Sequence, residues 1–128
     1  MSATITAPTQ QQLGSARATL IRARHMALSL VTAAATVRAH LDGWTLQSDA
    51  AYVHDQAAAA ERIAASLTRR ANRLRHAVAA EDANVPRLYA ELDNSIDKLH
   101  RGEQGNARAA ALILARFQSL KDHDALPF

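Results

Sequence analysis

The chain has 128 residues and is 48% apolar, yet 30 residues are alanine and only five are Phe, Trp or Tyr. Four glycines, three prolines and no cysteine exclude a turn-rich all-β domain, disulfides, thiolate metal sites, iron–sulfur clusters and a cysteine nucleophile. Fifteen Lys+Arg against 12 Asp+Glu give a net charge of +3, which favours an anionic partner such as nucleic acid.

Thirteen of the fifteen cations are arginine, whose planar fork fits phosphate and carboxylate. A GC-rich coding sequence also raises arginine and alanine together.

The first helix is predicted over about 10–42. Thr9 and Gln12 have capping-box spacing, with Pro8 just outside. A heptad then runs Leu13, Ala16, Leu20, Ala23, Ala27, Leu30, Ala34, Val37, Leu41, with spacings alternating three and four as in a buried seam. Asp42-Gly43 stops it, giving a helix of about 48 Å. Its longest charge-free stretch, Met26 to Val37, makes only about 18 Å of helix against about 30 Å of hydrocarbon. No membrane span is expected. The first dozen residues have neither a basic start nor an apolar run, so no secretory signal is expected and the default compartment is the cytoplasm.

The second helix is predicted over about 49–81, with Ser48 as N-cap and the seam Val53, Ala57, Ala60, Ala64, Leu67, Ala71, Leu74, Val78. Matched length and seam predict an antiparallel hairpin, with alanines letting the axes approach closely. Asn84 as cap and Pro86 in the first turn open a third helix over about 85–101, apolar at Val85, Leu88, Leu92, Ile96 and Leu99. Gly102 and Gly105 break it. The fourth, over about 106–122, buries Ala110, Ile113, Leu114, Phe117 and Leu120, and residues 123–128 form a loose tail. The expectation is one all-α domain spanning 1–128, a four-helix bundle. The two short helices should cover only half of the long hairpin. The other half would then need a second copy or a neighbouring subunit.

No constellation of residues points to catalysis or to a cofactor. The six histidines include no His-x-x-x-His pair and no Glu-x-x-His, which removes the ferritin-like pattern. There is no P-loop, no Gly-x-Ser-x-Gly and no glycine-rich phosphate cradle. Arg69 or Arg70 with His76, and Arg116 with His123, match the Arg-then-His spacing of helical HEPN ribonucleases. That spacing arises readily by chance among thirteen arginines and six histidines. The chain is therefore expected to be no enzyme and to bind no metal.

The arginines are better organised. No acidic residue precedes Asp42, so Arg17, Arg22, Arg24 and Arg38 stand unopposed in the sequence, and Arg17, Arg24 and Arg38 share a heptad position. Arg62, Arg69 and His76 share the outermost position of the second helix, beside Arg73, and Arg69, Arg70, Arg73 and Arg75 cluster within seven residues. The stripe from Arg62 to His76 is about 21 Å long and can meet about three phosphates. With little aromatic interleaving, contacts would be to the backbone and blind to sequence. The candidate nucleic-acid-binding residues are Arg17, Arg24, Arg38, Arg62, Arg69, Arg70, Arg73 and Arg75. An ordinary solvated face, or one pairing with acids on a partner protein, is the competing reading.

In size, helicity and basic charge the chain resembles the small helical subunit of CRISPR effector complexes. That resemblance implies a non-catalytic bundle stacked within a larger assembly, touching guide or target backbone. Trp44-Thr45-Leu46, followed by Tyr52, resembles the WXG hairpins of type VII secretion, with Leu46 in the place of the glycine. Tyr89 and Asp93 resemble the associated Tyr-x-x-x-Asp/Glu export signal. The end His123-Asp-Ala-Leu126-Pro-Phe128 resembles the peptide that docks on bacterial sliding clamps, without its glutamine.

Overall fold

The structure, a computed structural model, describes residues 6–41, 47–102 and 105–122. They form four helices and no strand: α1 (Gln10–His40), α2 (Gln47–Ala79), α3 (Val85–Arg101) and α4 (Gly105–Asp122). Helix α1 starts at the expected capping box. The Gln12 amide donates to Thr9 Oγ1 at 3.1 Å, and the Thr9 amide donates to Gln12 Oε1 at 2.8 Å. Helix α2 begins two residues earlier than expected, which puts Ser48 inside the helix rather than at its cap. The Asp42-Gly43 stop, Trp44 and the 123–128 tail lie outside the described residues.

The alanine seam is the core. Ala16, Ala33, Ala34, Ala57, Ala60 and Ala110 are fully buried, interleaved with Leu13, Leu30, Val53, Leu67 and Leu74. Alanine has the highest helix propensity and no side chain beyond Cβ. The same residues that hold the two long helices as helices therefore let their axes come close. Leu20 and Ala71 sit at the margin of this core rather than within it.

Helix α2 ends in a Schellman motif. The Asp82 amide donates to the Ala77 carbonyl at 2.9 Å and the Glu81 amide to the Val78 carbonyl at 3.1 Å. The motif needs a left-handed residue, and here that residue is Glu81, with φ +50°. The following turn corrects one expectation. Asn84 holds the N-cap position of α3, but its side chain makes no capping bond. Asp82 tightens the turn instead: its carboxylate accepts the Asn84 amide at 2.7 Å. Pro86 then occupies the first turn of α3, where its missing N–H costs nothing. At the far end Gly102 takes φ +54° and closes the helix with its amide on the Lys98 carbonyl.

The short helices do not leave half of the hairpin bare. Each packs against both long helices. Helix α3 lies along the half holding the start of α1 and the end of α2, where Arg22 meets Asp93 and Arg70 meets Ser95. Helix α4 reaches the other half, where Arg116 Nε donates to Gln56 Oε1 at 3.2 Å. Accordingly Val37, Leu41 and Val53, at that second end, are as buried as Leu13 and Val85 at the first. The two short helices share the length of the hairpin between them. What stays open is a flank of the α1–α2 pair.

Candidate functional site

The outer strip of α2 carries the clearest cationic surface. Arg62, Arg69, Arg73 and His76 are all exposed, on the side away from Ala57, Ala64 and Leu67. Helical rise places Arg62 and His76 about 21 Å apart, with Arg69 and Arg73 one turn from each other between them. None of these three arginines makes an ion pair among the described residues. The arrangement is a row of solvated guanidinium groups on a straight, rigid support.

The remaining candidate arginines do not join that row. The first helix is not electrostatically unopposed, because acids reach it from other helices. Asp93 of α3 pairs with Arg22 at 3.2 Å, and Glu61 of α2 pairs with Arg38. Arg38 is half-buried by that contact and serves the hairpin. Arg70 donates to the Ser95 hydroxyl, which in turn donates to the Glu91 carbonyl, so Arg70 ties α2 to α3. Arg17, Arg24 and Arg75 are exposed and make no ion pair among the described residues. Arg24 and Arg75 line a groove on the open flank rather than the outer strip. The eight predicted residues thus divide into an outer row of three, a groove lip of two, two packing residues, and Arg17, exposed on α1 apart from the others.

That groove was not foreseen from the sequence. It runs between α1 and α2, holds about 600 Å³, and is lined on the α1 side by Ile21, Leu28 and Val31. These side chains are 72%, 67% and 46% exposed. The signal was present: Ile21, Arg24, Leu28 and Val31 repeat the three-four spacing of the buried seam, displaced to its side. Thr68, Ala71 and Asn72 form the α2 side, and Thr68 satisfies its own hydroxyl on the Ala64 carbonyl at 2.9 Å.

A smaller cleft of about 290 Å³ separates the first turns of α1 and α3, between Gln11, Gln12, Ser15, Pro86 and Tyr89. Tyr89 is half-buried there and Asp93 is engaged by Arg22, so both ends of the Tyr-x-x-x-Asp pattern have packing roles. Among the described residues no three His, Asp or Glu side chains gather where they would hold a metal. No helix among them is long and apolar enough to cross a membrane. No protein family, curated protein or solved structure matches the chain.

Proposed function

We propose that the chain is a non-catalytic helical subunit of a larger nucleoprotein assembly, holding nucleic-acid backbone along the outer strip of α2. The observation that carries this reading is the row Arg62, Arg69 and Arg73: exposed, free of ion pairs among the described residues, and borne on one helix. A row spaced by helical turns suits a repeating polyanion. Arginine forks bind phosphate oxygens two at a time. No aromatic side chain is interleaved with the row, so the contacts are to phosphate and independent of base sequence. The role is that of the small helical subunit of CRISPR effector complexes, which the chain resembles in size, helicity and charge.

The test is fluorescence anisotropy with labelled single-stranded and duplex oligonucleotides across a salt series. Each phosphate contact adds roughly 0.7–0.9 to the slope of log affinity against log salt. Replacing Arg62, Arg69 and Arg73 together by alanine should leave the far-UV spectrum unchanged and flatten that slope by about two to three units. Binding that is unaffected by the triple substitution, or that never depended on salt, overturns the reading.

A further inference from the structure

The open flank of the hairpin has a chemistry distinct from the outer arginine row. Among the described residues, four large apolar side chains are exposed, and three of them, Ile21, Leu28 and Val31, lie together in the α1–α2 groove. They span eleven residues, or about 15 Å of helix axis. Arg24 lies among them, and Arg75 faces from α2. Neither cation has an acid to pair with among the described residues, and α1 contains no Asp or Glu at all.

We infer that this groove docks an amphipathic helix of a partner protein, about three turns long, with Asp or Glu flanking an apolar stripe. The apolar lining fixes the first half of that description. A helix laid in a groove presents side chains at i, i+3, i+4 and i+7, and the stripe of α1 offers the matching three-four periodicity over the same length. The two unpaired guanidinium groups fix the second half. An acid opposite each would form a charge-assisted bond in a partly desolvated site. A second copy of this chain is the poorer occupant: a self-complementary interface would set the cationic lining of one groove against that of the other, with no acid in either lining to answer Arg24 or Arg75. Nucleic acid is poorer still, since phosphates gain nothing from Ile21, Leu28 and Val31. The inference is independent of the outer-strip proposal, which uses Arg62, Arg69 and Arg73.

The experiment uses three labelled synthetic peptides of about fifteen residues, a length that spans the groove with a turn to spare. One carries leucines at helical spacing flanked by Glu. The second has Lys in place of each Glu. The third scrambles the first. Anisotropy titrations of the full chain should rank the Glu peptide tightest, by about tenfold or more over both controls, a margin of about 1.4 kcal/mol. Leu28→Asp should abolish that preference. Ile21→Asp, at a still more exposed position, serves as the second variant should Leu28→Asp fail to fold. The double exchange Arg24→Glu with Arg75→Glu should reverse the ranking in favour of the Lys peptide. Equal binding of all three peptides, or an unchanged ranking after the double exchange, overturns the inference. Sedimentation showing a dimer that Leu28→Asp dissociates assigns the groove to a second copy and also overturns it. Competition for the groove by a duplex oligonucleotide would do the same. Loss of oligonucleotide binding in the outer-strip variant with the peptide ranking intact would separate the two surfaces.

Discussion

A methyl group on Gly102 would lie 3.0 Å from the Cβ of Ala111. The end of α3 and the second turn of α4 therefore touch backbone to side chain, at a residue that also holds a left-handed φ of +54°. Gly102→Ala meets both obstacles at once. It should lower stability by about 2–3 kcal/mol, of which about 1–2 comes from the backbone alone. Adding Ala111→Gly relieves the contact but not the φ. Denaturant unfolding of the two single variants and the double should show a favourable coupling between them.

Glu81 offers the opposite experiment. It occupies the left-handed position of a Schellman motif, where glycine is the usual residue, and it sets a negative charge at the negative end of the α2 dipole. Glu81→Gly removes both penalties and leaves the two motif hydrogen bonds in place. The expected gain is about 1 kcal/mol, read as a raised denaturant midpoint with an unchanged m-value.

The alanine seam predicts an asymmetry between inside and outside. Ala34→Leu and Ala60→Leu insert bulk where no space exists and should each cost about 1–3 kcal/mol. Ala18→Leu, on the exposed side of α1, should stay within about 0.5 kcal/mol of the parent. Thermal unfolding of the three variants tests this directly.

The pair Arg22–Asp93 joins α1 to α3 across 71 residues of sequence, with both side chains partly solvated. A double-mutant cycle to alanine should give a coupling of only about 0.2–1 kcal/mol, shrinking as salt rises toward about 1 M. A larger, salt-independent coupling would mean that the pair orders the helix interface rather than decorating it.

The limits of α1 and α3 were legible because their signals are local, whereas Ser48 misplaced the start of α2. Thr9 with Gln12 and Pro86 after Asn84 mark starts, and Gly102 marks an end, all within a few residues of the boundary. The burial of the seam from Leu13 to Leu41 followed from spacing for the same reason, with Leu20 alone displaced to its margin. Where α3 and α4 lie along the hairpin was not legible. Nothing in their periodicity distinguishes two short helices side by side from two sharing the length of a longer pair. That choice rests on contacts such as Arg116 with Gln56, which are 60 residues apart. The pairing of Arg22 and Arg38 escaped for the same reason: their acids come from other helices. The groove was missed because α1 carries two parallel three-four stripes. The alanine-rich stripe takes α2, since only small side chains allow close approach, and the bulkier Ile21, Leu28 and Val31 are left at the edge.

A core built so largely of alanine also sets how the protein responds to temperature. The heat capacity of unfolding tracks the apolar area that becomes hydrated, and an alanine exposes little of it. The increment per residue should therefore fall below the usual ~12–15 cal/mol/K. A small increment flattens the curve of free energy against temperature. Cooling and warming would each weaken this chain slowly, with wide separation between its cold and hot limits.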